Sequence, residues 1–478
     1  MPDTQEYDVV VIGAGPVGEN VAQYAIEGTD LTAVLVEGEL VGGECSYWAC
    51  MPSKALLRPV SVAGTTQHLP GVRPTDVDRD ALLARRDAWV SHYDDAGQVA
   101  WADGAGLATL RGHARIVGER EVEVVDDGAT TRVHARQAVV IAGGSEPVVP
   151  APFTSALPWG SRDATGVVDV PERLVVIGGG VVACEAATWM AALGSRVTML
   201  VRGERLLEGQ EPFVGEEIAT ALRAKGVDLR MSTSATACHR PDAEDTGIGR
   251  LHGGPVTVEL GDSGAAAETL EADEVLVATG RRPRLHDIGL DAVGLSEDDV
   301  LAGRLPAWLH AVGDASGEAP LTHWGKYRAR VVGAQIAADA RGERPPPAPE
   351  VAPVPQVVFT DPQVASVGLT EAAAREAGHD VVTATAPFAG VAGSALLRDD
   401  VTGQAHLVVD RATGLVLGTT LVGPDVGELL HAATIAIAGR VPVHVLRHAV
   451  PSYPTSSEVW VRLLESLPAD LRGATPNG

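Results

Sequence analysis

The chain is poor in the residues that staple a small secreted fold, cross a membrane or grip a nucleic acid. Four cysteines occur in 478 residues, and two of them, Cys184 and Cys238, stand alone. So sparse a set builds no disulfide framework and suits a reducing compartment, which makes the cytoplasm the expected location. No apolar run reaches the roughly 18 residues of a membrane span. The acidic N-terminus, Met1-Pro2-Asp3-Thr4-Gln5-Glu6-Tyr7, runs straight into a strand pattern and carries no signal-peptide features. Positive charge is also scarce: 37 Lys and Arg stand against 63 Asp and Glu, a formal charge of -26. Such a surface repels phosphate backbones and anionic lipid, so neither a nucleic acid nor a membrane is expected as a partner. Lysine occurs only at positions 54, 225 and 326. The length is ample for about three ordinary domains with hydrophobic cores of their own.

Two nucleotide-binding patterns are present. Tyr7 to Ile12 is a β-branched run feeding Gly13-Ala14-Gly15-Pro16-Val17-Gly18; a helical pattern follows, then a second strand, Ala33 to Val36, ending in Glu37. Glycines at 13, 15 and 18 let the backbone approach a pyrophosphate at a helix N-terminus, and an acid ending the second strand accepts hydrogen bonds from a ribose. Gly178, Gly180, Ala183 and Arg202 repeat Gly13, Gly15, Gly18 and Glu37 at a constant offset of 165 residues. Two nucleotides are therefore expected. In the second unit the acid has become Arg202, with Arg205 three residues on; a cation there accommodates a 2′-phosphate that an acid would repel, with a solvated loop charge as the alternative.

Between the two units lies Gly42-Gly43-Glu44-Cys45-Ser46-Tyr47-Trp48-Ala49-Cys50-Met51-Pro52-Ser53-Lys54. On an ideal helix the α-carbons of Cys45 and Cys50 would lie about 9 Å apart, beyond the roughly 7 Å a disulfide tolerates, so pairing requires an irregular turn between them. Pro52 suits a first helical turn and suggests regular helix from near Cys50. A thiol at a helix N-terminus is acidified, and Lys54, one turn on, adds positive charge. A buried cysteine pair or a two-ligand metal site are the alternatives.

Together these motifs resemble the flavoprotein disulfide reductases, the family of glutathione reductase, lipoamide dehydrogenase and mercuric reductase, whose GG-x-C-x4-C-x-P-[ST]-K pattern is matched at every position. The resemblance implies an α/β fold with two Rossmann-like dinucleotide-binding domains, for FAD and NADPH, plus a C-terminal α+β dimerisation domain. It implies that Cys50 contacts the flavin, that Cys45 meets substrate, and that Gly43 and Lys54 lie beside the cofactor. Glu185 matches the carboxylate that pairs with the lysine, an arrangement costly for either ion alone. Ala114 and Gly143 fall in the adenine-side turn and the A-T-G-S-x-P strand end, with Gly143 where Thr is usual. Gly280 marks the return to the FAD domain, and Gly313 and Asp314 its second fingerprint. The helical pattern opened by Thr322 runs against the flavin ring in the family. The expected domains are 1–150 and 278–345 for FAD, 151–277 for NADPH and 351–478 for the interface, with Arg344-Pro345-Pro346-Pro347-Ala348-Pro349-Glu350 as a stiff linker. Between the first two, Ala81 to Ala88 and Trp89 to Ala100 carry helical spacing.

The C-terminal segment Pro451-Ser452-Tyr453-Pro454-Thr455-Ser456-Ser457-Glu458 departs from the family's H-P-T-x-x-E, in which a histidine acid/base is oriented by a glutamate and completes the partner's site. Tyr453 replaces the histidine and Glu458 is kept. A phenol donates hydrogen bonds but is a poor base near neutrality. Mercuric reductase also has a tyrosine here but needs a C-terminal cysteine pair, which Leu463 to Gly478 lacks, so mercury reduction is not expected. Val181 replaces the tyrosine that commonly gates the nicotinamide pocket, and Tyr47 and Trp48 put two rings between the cysteines. The expectation is a homodimeric FAD enzyme without metal ligands, passing electrons from NADPH through Cys45 and Cys50 to a small-molecule disulfide. The alternatives are reduction of quinones, metal ions or other electrophiles, and a redox-sensing flavoprotein of low turnover.

Overall fold

Val9, Val10 and Val11 are all buried, which an alternating strand with one wet face does not permit, and the reason is that helices and a further sheet layer cover both sides. The computed structural model describes residues 4–261, 268–345, 347–348 and 352–473. Pro346, Pro349 and Glu350 of the expected linker and residues 474–478 of the tail lie outside the described residues. The chain divides into two units: Met1–Pro52, Ala84–Val148 and Gly280–Glu350 form one, and Ser53–Leu83, Val149–Thr279 and Val351–Gly478 the other.

In the first unit, β1 (Gln5–Ile12), α1 (Pro16–Ile26) and β2 (Ala33–Glu37) make the expected βαβ element. β1 pairs in parallel with β2, Val9 opposite Ala33 through Ile12 opposite Val36, and on its other edge with Ala129–Ile141. The full sheet has seven strands, with Ala108–Arg111 at one end and Leu309–Ala311 added beside Ala129–Ile141. Side chains leave β1 alternately: Val9 and Val11 join Val21, Ala22 and Ala329 in one core, Val10 and Ile12 join Ile116 and Val124 in the other. The long helix Thr322–Arg341 packs on α1 through small residues; a Cβ on Gly333 would lie 2.7 Å from Tyr24 Cβ, and one on Gly325 would lie 2.6 Å from Val17 Cγ2.

The second unit holds a four-stranded parallel sheet ordered Asp228–Arg230, Arg196–Leu200, Arg173–Ile177, Glu274–Val277, with the helix Val181–Ala192 crossing between the middle pair. It also holds a five-stranded antiparallel sheet in which Gln363–Gly368, Val416–Gly423 and Gln404–Asp410 are the central strands. Thr370 caps the helix Glu371–Glu376, its hydroxyl accepting from Ala373 N, and Gly378 ends the turn at φ +86°. The α/β class, with Rossmann-like parallel sheets and a C-terminal α+β domain, is the expected one.

One local expectation fails. Trp89 to Ala100 is not a continuous helix: Arg79–Trp89 stops, and a second helix, Ala96–Gly104, starts afresh. Between them Ser91, His92 and Tyr93 all take left-handed backbone, φ +51°, +51° and +62°. Tyr93 there stacks on Trp48 with ring centroids 4.4 Å apart, a tertiary contact that outweighs the helical propensity of the segment.

Candidate active site

The first glycine loop leaves room only for backbone. A Cβ on Gly13, at φ +103°, would stand 2.5 Å from the Ala142 carbonyl, and one on Gly18 would collide with the carbonyl of Gly13. Gly43, at φ +59°, presses on the same loop: its Cβ would lie 2.6 Å from Gly15 Cα, while Gly42 N donates to Ala14 O at 2.8 Å. Segments 30 residues apart thus meet at the N-terminus of α1, whose unpaired amides and dipole favour an anion. Glu37 holds the loop as well, its Oε2 accepting from Ala14 N at 2.8 Å and its Oε1 from Glu39 N at 2.9 Å; burial pushes its carboxyl up from the usual range.

The cysteines sit across a break in the helix. α2 (Gly43–Tyr47) carries Cys45 and ends at Trp48; α3 (Cys50–Gln67) then begins at Cys50, with Pro52 in its first turn. The break lets the two sulfurs come within hydrogen-bonding reach. The neighbouring Cys50 sulfur, reinforced by burial, pushes the Cys45 thiol well above its usual range, while Thr322 and Lys326 act against that shift. Cys50 Sγ lies 3.2 Å from Thr322 Oγ1. The isolated cysteines differ: burial pushes Cys184 and Cys238 up to about 12, which leaves both as inert thiols.

In the second unit Lys54 Nζ lies 2.9 Å from Glu185 Oε2, and the ammonium stands 4.8 Å from the centroid of the Phe359 ring. Glu185 is buried and Lys54 is about a third exposed, at 34%, so the pair is less enclosed than a doubly buried one. The second glycine loop repeats the first: a Cβ on Gly178, at φ +135°, would collide with the Ala278 carbonyl. Gly180 caps the helix, and Ala183 is buried in its first turn. Arg202 and Arg205 are exposed beyond the strand Arg196–Leu200.

The remaining expected positions are dispersed. Ala114 is buried in the strand His113–Gly118. A Cβ on Gly143 would come no nearer than 3.5 Å to Arg284 O, so a first side-chain carbon would be accommodated there. Gly280 takes φ +134° with open space where a Cβ would be. Gly313 precedes Asp314, whose Oδ2 accepts from Ser145 Oγ; Arg281 Nε in turn donates to Ser145 Oγ at 2.9 Å. Tyr453 is 77% exposed, and Glu458 Oε2 accepts the N–H of Thr455 at 3.2 Å.

A family model described as pyridine nucleotide-disulphide oxidoreductase matches residues 7–302, and the dimerisation domain of the same family matches residues 354–464. The chain belongs to the pyridine nucleotide-disulphide oxidoreductase family. A dihydrolipoyl dehydrogenase of Thermus scotoductus is 33% identical over 96% of this chain and 97% of its own. A mercuric reductase of Acidithiobacillus ferrooxidans is 32% identical over 95% of this chain and 82% of its own. The solved structure of the HOCl-induced flavoprotein disulfide reductase RclA from Escherichia coli superposes with a TM-score of 0.80 at 25% identity, covering 97% of this chain and 100% of that one. The oxidoreductase is thus an FAD-dependent flavoenzyme of a family built on a redox-active disulfide, and its dimerisation domain supports a homodimer. Among the described residues no helix is long and apolar enough to cross a membrane.

The residues fit FAD. The side-chain-free loop at Gly13, Gly15, Gly18 and Gly43 is a cradle a Cβ would fill, and it opens at a helix N-terminus beside a carboxylate. Thr322, Lys326, Ser145 and Arg281 were not among the site residues expected of this oxidoreductase. Ser145 and Arg281 stand beside Gly143 and Gly280 in the sequence, but the contacts they make, across 136 and 169 positions, are not announced by local spacing.

Proposed function

We propose that the enzyme is an NADPH-dependent FAD oxidoreductase that passes two electrons through the Cys45–Cys50 pair to a small-molecule disulfide. The observation that carries this reading is the pair itself: two sulfurs in hydrogen-bonding reach at the head of α3, with Cys50 beside Thr322. The first glycine unit with Glu37, Gly43, Ala114, Gly143, Gly280, Gly313 and Asp314 would hold FAD, and Gly178, Gly180, Ala183, Arg202 and Arg205 would hold NADPH. When bound, FAD supplies two-electron transfer between nicotinamide and sulfur.

The chain's own groups then act as follows. Loss of the Cys45 proton gives a thiolate that attacks one sulfur of the acceptor, forming a mixed disulfide and releasing the first thiolate. Cys50 attacks the Cys45 sulfur, closing the internal disulfide and releasing the second. Lys54 and Glu185 fix the helix that carries Cys50. Tyr453 and Glu458 contribute from the partner subunit's chain; the phenol hydrogen-bonds the departing sulfur but does not serve as a base. A second reading, reduction of a quinone, metal ion or other electrophile, is favoured by the same Tyr453, since such acceptors have no thiolate to protonate. The relatives' names point to different acceptors and choose neither. The division into FAD, NADPH and interface domains at 1–150 with 278–345, 151–277 and 351–478, and a cytoplasmic location, belong to the same proposal.

NADPH oxidation by the purified enzyme across a panel of low-molecular-weight disulfides, quinones and metal ions tests the choice, with Cys45→Ser alongside. Acceptor reduction lost in Cys45→Ser supports the disulfide reading; reduction of quinones alone, unaffected by that substitution, would replace it.

A further inference from the structure

The chain leaves the first unit after Val148 and returns to it at Gly280, and the two crossing segments pair as short antiparallel strands, Ser145–Pro147 with Arg281–Pro283. Across them Arg281 grips one residue twice: its Nε donates to Ser145 Oγ at 2.9 Å and its Nη2 to the Ser145 carbonyl at 2.6 Å. The same Nη2 lies 3.5 Å from Oε1 of Glu44, the residue before Cys45. Ser145 is 5% exposed, which keeps water from competing for its hydroxyl.

The direction of these bonds follows from what each group can do. A guanidinium N–H only donates, and a serine hydroxyl has one proton to give. With Arg281 Nε on the oxygen, that proton goes to Asp314 Oδ2, 2.5 Å away, a separation usual for a hydroxyl donating to a carboxylate. Asp314 sits in the turn Gly313–Ser316, and its Oδ1 accepts no hydrogen bond among the described residues. The turn is held on both sides: Ser316 Oγ donates to Gly313 O at 2.7 Å, and a Cβ on Gly313, at φ +68°, would stand 3.1 Å from Cγ1 of Val17 in the first glycine loop. One oxygen of the carboxylate is thus committed to the protein, beside the loop built for a nucleotide, and the other is left over.

We propose that Ser145 and Arg281 are positioning residues for FAD: Arg281 directs the Ser145 proton onto Asp314 Oδ2, which fixes the carboxylate and leaves Oδ1 to accept a hydroxyl of the ribityl chain. Neither side chain needs to touch the cofactor. Loss of the guanidinium frees the hydroxyl to rotate, and loss of the hydroxyl leaves Asp314 without a side-chain donor among the described residues. The two residues stand on the strands by which the chain leaves and re-enters the unit, so the crossing itself holds the cofactor's acceptor in place. The proposal rests on the reading that Asp314 holds FAD.

The test is the rate of FAD release from the loaded enzyme on dilution, followed by the rise in flavin fluorescence, in the parent, Ser145→Ala, Arg281→Met, Asp314→Ala and the two doubles with Asp314→Ala. Ser145→Ala and Arg281→Met should each release FAD about tenfold faster than the parent, the size of one lost hydrogen bond to a charged group. Arg281→Lys should not restore the rate, because an ammonium has no fork to span a hydroxyl and a carbonyl. The doubles should release no faster than Asp314→Ala itself, since both side chains act through that carboxylate. Effects that multiply in the doubles, as separate packing roles would give, overturn the proposal, and so do parent rates in both single variants. Titration of the FAD-free full chain with FAD and with ADP reads the same point without the Asp314 variant: Ser145→Ala and Arg281→Met should lose about tenfold in affinity for FAD and nothing for ADP, which has no ribityl chain. Equal losses for the two ligands overturn the proposal. The reading of Asp314 as a cofactor contact fails separately, if Asp314→Ala releases FAD at the parent rate.

Discussion

Lys54 and Glu185, 131 positions apart, form an ion pair of 2.9 Å, and Glu185 Oε1 also accepts the backbone N–H of Phe359 at 2.9 Å. One buried carboxylate therefore ties the helix below Cys50, the helix of the second glycine loop and the residue that follows the first strand, Gln356–Val358, of the C-terminal sheet.

Removing the cation should cost more than neutralising the acid. Lys54→Met leaves a buried carboxylate with one backbone donor and should destabilise by about 2 to 4 kcal/mol, discounted for the partial exposure of the lysine. Glu185→Gln keeps an acceptor for Phe359 N and should cost about 1 kcal/mol. The double substitution should be less damaging than Lys54→Met alone. Thermal melting of the four proteins measures this, and additive losses would show that the two side chains do not act as a pair.

With Cys50 as the flavin-side thiolate, two-electron reduction should give a long-wavelength charge-transfer absorbance. Cys50→Ser should abolish the band and Cys45→Ser should retain it. A band that survives in Cys50→Ser reverses the two roles.

Arg202 stands where Glu37 stands in the first unit, so NADPH should be preferred over NADH. Arg202→Glu should raise the KM for NADPH roughly ten- to a hundredfold, the loss of a charge-assisted phosphate contact of about 1.5 to 3 kcal/mol, with a smaller effect on NADH. Equal steady-state use of both cofactors by the parent enzyme is the outcome that removes this assignment.

Tyr453 should limit ordinary disulfides. General acid–base catalysis typically supplies about 10² to 10⁴ in rate, so turnover of glutathione disulfide or lipoamide should be slow and the thiol-oxidising direction slower still. Acceptors with acidic leaving groups, or none, should do better. Tyr453→His should raise turnover of ordinary disulfides, with Glu458 present to orient the ring. Rapid reduction of glutathione disulfide by the parent, unchanged in Tyr453→Phe, would falsify the claim that this position sets the substrate class.

The fold class and family were legible in the chain because their signals are local. Glycine spacing, a β-branched run before it and a charged residue ending the next strand encode a βαβ turn within about 30 residues. Pro52 likewise points to the start of α3, since proline fits a first helical turn best, although the same helix also carries Pro59 in its interior. What surrounds the two sulfurs was decided by tertiary structure. Thr322 reaches Cys50 from a helix 272 positions away, and Ser145 meets Arg281 and Asp314 across 136 and 169 positions, contacts that no periodicity contains. The stack of Trp48 on Tyr93 overrode a helical pattern that looked continuous from Trp89 to Ala100. Glu19 reads in sequence as an ordinary acid in a first helical turn, favoured there by the helix dipole. Only the packing of α2 and the helix Thr322–Arg341 around α1 removes water from its carboxyl and makes a surface-type residue a buried acid titrating near neutrality.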